Sequence, residues 1–317
     1  MQHPESNELF AFYNVENLFS PDPPPVHKRD PTLSGMSNWD QRKYDNKLFK
    51  ITQVFQLMQE KYSVLPMLIG LSEIQGQSPL DELVKMPPFN SEYDVVHFDS
   101  LDERGVDVAL LFDKSKLELI SAEPLTYFFE VTDNKPSYYD TTRDVLFCKM
   151  RYAGEIINVF VLHLPSKRGD DVNRSKRIFM LKDIREKVQI LLNEKKEAVV
   201  LCGDFNDNPD EDYLKDLLYD DQSKQILKNP SLDLYRNSNF STFHRNDGLL
   251  FDQMMMSYEF FNSNFPLQFK SAEVFSPPPL RSWDKKFEGR PFRTYAGTRY
   301  LGGYSDHFPI IVEWYKK

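Results

Sequence analysis

Short apolar runs of strand length recur along this chain, interrupted by a few segments whose apolar residues return every three or four positions. Residues 9–15 read as a first strand. The following stretch, 20–38, carries Pro21, Pro23, Pro24 and Pro25, which remove the donors that helices and ladders need, so a loop is predicted. Leu48, Ile51, Val54, Phe55 and Met58 then share one helix face, with Asn38 or Asp40 as its cap. Residues 66–71 read as a strand, and Ser78-Pro79 as the cap and first residue of a brief helix. Residues 93–98 and 106–112 form neighbouring strands across a polar turn, and 145–150 with 156–163 a hairpin around Ala153-Gly154. A long helix is predicted over 173–193, with Ile178, Leu181, Ile184, Val188, Leu191 and Leu192 on one face. Residues 198–202, 249–256 and 309–314 complete the strands, and the Met254-Met255-Met256 run is read as core.

Strands outnumber helices, nothing repeats at a fixed period, and no linker divides the chain. The expected fold is α/β of the α+β kind: a four-layered sandwich with two mixed β-sheets packed face to face and helices outside, as a single domain over residues 1–317. The irregular stretch 275–303 is too long for an ordinary connection, and such lengths go with function or disorder. Its Trp283, Phe287, Phe292 and Tyr295 are equally readable as a surface for stacking a base or as pins for the loop.

Composition narrows this picture. With 40% hydrophobic residues, 25 Phe and 16 Tyr, the chain has ample material for a core and is not a disordered one. A net charge of −9 argues against a protein that grips nucleic acid through a broad basic face. It does not exclude a nuclease, whose bound cation supplies positive charge locally. The two cysteines, Cys148 and Cys202, lie in apolar runs and read as buried thiols. No apolar stretch reaches the roughly 18 residues of a membrane span, and the N-terminal residues do not resemble a secretory signal. A cytoplasmic location is expected, although a secreted protein with its leader trimmed would share these features. No obligate protein partner is evident.

The polar residues of interest lie at or just beyond strand ends: Asn14 and Glu16, Glu73, His163, Asp204 and Asn206, and Asp306 and His307 just before the last strand. Strand ends on one side of a sheet converge, which is how distant residues build a site. Carboxylate, amide and imidazole without thiolate suit a hard cation, Mg²⁺, Mn²⁺ or Ca²⁺. Zinc-type spacing, a glycine-rich phosphate cradle and a serine nucleophile elbow are all missing. Metal-assisted attack of water on a phosphate ester remains.

Five segments in order, FYNVENLF at 12–19, IGLSEIQG at 69–76, VLHLPSKRG at 161–169, LCGDFNDNP at 201–209 and GYSDHFPI at 303–310, resemble the endonuclease/exonuclease/phosphatase superfamily. The resemblance implies a divalent metal held by Glu73 and Asn14, with Asp306 as ligand to a second metal or support for the first. It implies that Asp204 orients or deprotonates the attacking water and that Asn206 holds a phosphoryl oxygen. His307, held by Asp252, would donate to the phosphate, and His163 would stabilise the transition state or assist the leaving group. Arg143 matches more loosely a phosphate-contacting position. Glu16 departs from the abasic-site pattern by its longer side chain and is either ligand or spacer. Asp107 is a candidate to orient His163, although no motif fixes that role. The basic run Lys167, Arg168, Arg174, Lys176 and Arg177 is read as a solvated helix start before a phosphate contact. The expected partner is a phosphate-ester substrate, with DNA and RNA among the candidates. A nuclease-like phosphodiesterase leads, followed by an inositol-phosphate phosphatase or a sphingomyelinase-like phospholipase C, and last by a non-catalytic binding module.

Overall fold

The computed structural model describes residues 7–21, 39–102, 104–131 and 138–317, so most of the proline-rich loop, Asn38, His3 and His27 lie outside the described residues. Two six-stranded sheets form the frame. The first runs Leu267–Val274, Ile310–Lys316, Asn7–Leu18, Leu68–Ile74, Asp107–Asp113 and Tyr93–His97 across its width. The second runs Leu227–Lys228, Asp252–Ser257, Ala198–Asp204, Glu155–His163, Val145–Tyr152 and Glu118–Leu125. Each has one parallel pair at its centre, Asn7–Leu18 with Leu68–Ile74 and Ala198–Asp204 with Glu155–His163, and antiparallel neighbours outside it. Both sheets are therefore mixed, as expected.

Side-chain alternation explains the layers. Along the first strand Phe10 and Phe12 face the second sheet, where they meet Cys148, Val159, Val161, Cys202 and Met254. Leu9, Ala11, Tyr13 and Val15 point the other way, onto the helix Gln41–Tyr62 through Ile51, Phe55 and Met58. In the second sheet, Val200 and Cys202 face inward while Val199 and Leu201 meet Met180, Leu181, Ile184 and Val188 of the helix Arg174–Ile190. The order is helix, sheet, sheet, helix. Small residues let the sheets approach: a Cβ added to Gly70 would lie 2.8 Å from the Cys202 sulfur and 3.3 Å from Val161. Both cysteines are buried free thiols, and the three consecutive methionines are buried.

Asp40, one of the two expected caps, accepts from Lys43 N at 2.9 Å and starts the first helix. The hairpin at Ala153-Gly154 forms with both residues at positive φ, 49° and 89°. Some expectations fail. Gln77 rather than Ser78 occupies the cap of the Ser78–Leu83 helix, without a side-chain hydrogen bond. The predicted face of the long helix holds at Leu181, Ile184, Val188, Leu191 and Leu192, but at its start Ile178 is exposed and Arg177 is buried, because Arg177 has carboxylate partners that Ile178 could not use. The strands Glu118–Leu125 and Leu267–Val274, missed in the sequence, lie at sheet edges where half-exposed faces blur the apolar pattern. The stretch 275–303 wraps over the first sheet beside its helix, placing Phe275, Leu280 and Tyr295 in that core.

Candidate active site

Each sheet presents the same three features at one edge: the C-terminal ends of its parallel pair and the beginning of the neighbouring antiparallel strand. The first contributes Asn14, Glu16 and Glu73, with Asp306 and His307 leading into Ile310–Lys316. The second contributes His163, Asp204 and Asn206, with Asp252 opposite Asp204 in register. The two edges meet where Asn14 Nδ2 donates to Asp204 Oδ2 at 3.0 Å across 190 residues of chain. The same oxygen lies 3.7 Å from His163 Nε2 and 4.0 Å from His307 Nε2. Asp204 Oδ1 accepts from Asn206 N at 2.9 Å, and Asn206 Nδ2 reaches Leu164 O at 2.8 Å, one residue beyond His163.

His307 Nδ1 meets Asp252 Oδ2 at 2.6 Å. The carboxylate accepts this bond, so Nδ1 carries the proton and Nε2 faces Asp204 and Asp306, 4.0 Å from each. Burial opposes a charge on His307, but the Asp252 contact outweighs it and holds the imidazole pKa well above its ordinary value. Asp204 is pushed up to about 7, first by burial and then by the charge of Asp252.

The first-sheet side forms a second charge cluster. Burial, then the Asp306 charge, lifts Glu16 to about 7, while Lys47 and Arg293 pull it down. Glu16 accepts Thr294 N at 2.6 Å and Tyr295 N at 3.3 Å, so it ties the long loop to the first strand. Lys47 is buried, with Nζ donating to Thr294 Oγ1 at 2.6 Å and Tyr304 O at 2.7 Å; desolvation lowers it to about 8 against the charges of Glu16, Asp306 and Glu73. Burial works against the Asp306 carboxylate, yet His307, Arg293 and Lys47 keep its pKa below the usual value, and Arg293 binds it at 3.0 Å. Glu73, half-buried, accepts Asn17 N at 3.0 Å.

Two groups have donors close enough for one cation among the described residues: Asp204, Asp252 and His307, and separately His97, Asp99 and Asp107. In the first, the 2.6 Å contact already accounts for the Asp252–His307 pair as a hydrogen bond. The surrounding donor set nevertheless fits a hard divalent ion. It is oxygen and imidazole without thiolate, and the buried carboxylates Glu16 and Asp204 lack enough positive charge to keep their ordinary pKa values.

The structure thus gathers Asn14, His163, Asp204, Asn206, Asp252, Asp306 and His307, with Glu73 beside Asn14 through the Asn14–Ser72 register. Arg143 is buried with its Nε 3.5 Å from Asp102. Asp107 accepts Ser100 N at 3.1 Å and lies 4.0 Å from His97, and burial raises it to about 6. In the basic run, Lys167, Arg174, Lys176 and Arg177 pair with carboxylates of the chain itself, so the phosphate-contact alternative gains nothing. Lys47 and Arg293 were missed. A lysine four residues before Ile51 on an apolar helix stripe was a readable signal; Arg293, in irregular chain, gave none.

Residues 9–316 match the model of the endonuclease/exonuclease/phosphatase family. The chain belongs to that family. No curated protein matches it by sequence. Among solved structures, a family member from Bacteroides thetaiotaomicron superposes with a TM-score of 0.61 at 17% identity, covering 100% of this chain and 97% of that one. A mannosyl-6-phosphatase from Bacteroides thetaiotaomicron gives 0.60 at 17% identity, with coverages of 97% and 99%. The TDP2 of D. rerio complexed with a single-strand DNA product gives 0.59 at 13% identity, with 98% and 99%. At such identities the likeness extends to the fold. No helix among the described residues is long and apolar enough to cross a membrane.

Proposed function

We propose that this chain is a divalent-metal-dependent hydrolase of phosphate esters, acting as a nuclease-like phosphodiesterase within one catalytic domain. The observation that carries the reading is the convergence on Asp204 Oδ2 of Asn14 from one sheet and both histidines, all within 4.0 Å. Glu73 and Asp306, with Asn14 beside Glu73, would hold the cation, which when bound polarises the phosphoryl oxygens.

The chain's own groups perform the rest. Asp204, oriented by Asn14 and by Asn206 N, accepts a proton from water. His307, charged by Asp252, donates from Nε2 to a phosphoryl oxygen. Asn206 uses one amide hydrogen on Leu164 O and keeps the second for the phosphate. His163, with Nε2 3.7 Å from Asp204 Oδ2, would stabilise the transition state or assist the leaving group. That solved relatives with this fold include a phosphatase and a protein holding a DNA product supports the reading without choosing a substrate.

The test is a panel of plasmid DNA, abasic duplex, bis-p-nitrophenyl phosphate, a sugar phosphate, an inositol phosphate and sphingomyelin, each with Mg²⁺ or Mn²⁺ and with EDTA. Turnover abolished by EDTA and lowered about 10²–10⁴-fold by Asp204→Asn, with unchanged folding, is expected. An enzyme inert towards the whole panel would hand the fold to the binding-module reading.

A further inference from the structure

At the outer strand pair of the first sheet a buried histidine faces two carboxylates. Tyr93–His97 runs antiparallel to Asp107–Asp113 with His97 opposite Ala109, so the pleat puts His97 and Asp107 on one face of the pair, and Asp99 follows in the turn. The ring Nδ1 meets Val108 O at 3.2 Å. A carbonyl only accepts, so Nδ1 carries the proton. Nε2 then turns its lone pair to Asp99 Oδ1 at 3.2 Å and Asp107 Oδ2 at 4.0 Å. The side chains of His97 and Asp107 are 2% and 5% exposed, while that of Asp99 is 81% exposed. Asp107 Oδ1 is engaged by Ser100 N, which leaves Oδ2 facing the ring. Among the described residues no lysine or arginine lies within 4.0 Å of either carboxylate.

Three acceptors that face one another need positive charge between them. A second proton on the ring supplies some, but its one hydrogen serves Asp99 alone and leaves a negative charge over. A divalent ion balances both carboxylates and engages all three donors. These atoms lie within 4.8 Å of one another; ligands held at about 2.0–2.1 Å around a tetrahedral ion stand about 3.3 Å apart, so small side-chain rotations complete the set. The carbonyl on Nδ1 is the outer partner by which metal-binding histidines fix ring and tautomer. We propose that His97, Asp99 and Asp107 form a Zn²⁺ site separate from the phosphoryl centre. The imidazole favours zinc over Mg²⁺, which takes oxygen ligands, and the open side at Asp99 leaves the fourth position to water. No His/Cys spacing announces the site, because two of its ligands are carboxylates and strand pairing brings the third group to them. The site stands independently of the hydrolase reading. Residues 98–106 are enclosed between the ligands. From that loop Asp102 Oδ2 lies 3.5 Å from Arg143 Nε, and Arg104 Nη2 donates to Asn17 Oδ1 at 2.8 Å, with Asn17 N on Glu73 Oε2. Zinc would fasten the base of this loop and, through it, the wall beside Glu73.

Isothermal titration of Zn²⁺ into the metal-stripped chain, with excess Mg²⁺ present for the phosphoryl centre, tests the site. The wild type, Glu73→Gln and His307→Gln should share one zinc site of equal affinity, which Asp99→Ala weakens about tenfold or more and His97→Gln abolishes. Because the Asp99 side chain is exposed, Asp99→Ala separates loss of a ligand from any misfolding of His97→Gln. Trypsin cleavage after Arg104 should slow about fivefold or more with zinc in the wild type and not in Asp99→Ala. A wild type without a zinc site, or a site untouched by Asp99→Ala, would overturn the assignment. So would a site lost in His307→Gln and kept in His97→Gln, which puts the ion at the phosphoryl centre. Unchanged cleavage after Arg104 in zinc-loaded wild type would overturn the fastening of the loop.

Discussion

Arg177 is the side chain on which the second half of the site depends, and its removal can be evaluated in advance. It is fully buried. Nε donates to Asp207 Oδ2 at 2.7 Å and to Tyr213 Oη at 3.2 Å, Nη2 to Asp171 Oδ1 at 2.6 Å, and Nη1 to Pro165 O at 3.1 Å. Asp207 follows Asn206 and Pro165 lies two residues after His163, so one guanidinium binds together the loops that leave both parallel strands. Asp207 is itself fully buried, and burial holds its pKa up even with Lys167 and Arg177 beside it. Replacing Arg177 by Met leaves that carboxylate with Lys167 as its remaining cation. Breaking a buried pair from one side costs about 3–5 kcal/mol, and the surviving Lys167 contact sets the expectation near about 3 kcal/mol. Arg177→Lys should restore less than half of this, because an ammonium is a point donor and cannot reach four acceptors in a fan. Urea unfolding followed by tryptophan fluorescence measures each loss. Asp207→Asn and the double variant close a thermodynamic cycle whose coupling should exceed about 2 kcal/mol. Turnover of Arg177→Met under conditions where it is folded should fall by about 10²-fold, the cost of a shift of about 1 Å at a site. A stability loss below about 1 kcal/mol, or additivity within about 0.5 kcal/mol, would refute the clamp.

Two shorter predictions follow from burial. In Gly203→Ala the new Cβ would stand 2.2 Å from Leu162 O in the neighbouring strand; about 3 kcal/mol should be lost, and an unchanged melting temperature would show that the strands can part freely. Burial raises Asp107 from 3.8 to about 6, so in the wild type its favourable contribution is present below about pH 4 and is lost as pH rises through about 6. Asp107→Asn should therefore gain up to about 3 kcal/mol over the wild type at pH 8 and converge with it at pH 4, whereas parallel stability curves across that range would contradict the argument.

The sandwich was legible because its central strands are apolar on both faces and its motifs fall where those strands stop. Apolar runs at residues 9–15 and 198–202, together with strand-end polar residues, sufficed to expect two sheets and to bring Asn14, Asp204 and the two histidines together. Edge strands were lost because one of their faces meets water. Arg177 was assigned to solvent because a charge next to an apolar face looks solvated unless its partner is known, and Asp207 lies 30 residues on. Lys47 could be read as a cation on an apolar helix stripe, but its acceptors Thr294 and Tyr304 lie almost 250 residues downstream or more, so its place in the site could not.

What no periodicity reveals is how a strand end turns its side chain into the crevice. Glu16, Asn17, Glu73 and Asn206 all have positive φ, between 52° and 66°, a region that costs non-glycine residues about 1–3 kcal/mol each. In the first strand four steps from Asn14 to Leu18 face two from Ser72 to Ile74, and the partner register of Leu68–Ile74 also slips between Ser72 and Ile74. These are bulges, which re-aim side chains at the end of pairing. Three of these four are held by a bond from their own N–H to a side chain of the site: Glu16 N on Asn14 Oδ1, Asn17 N on Glu73 Oε2, Asn206 N on Asp204 Oδ1. The side chains proposed to act on the phosphate therefore also hold the backbone that presents them. Removing one of these acceptors both deletes a functional group and lets a strained residue relax, so substitutions at Asn14, Glu73 and Asp204 should be strongly non-additive in turnover, more so than their separation in sequence suggests.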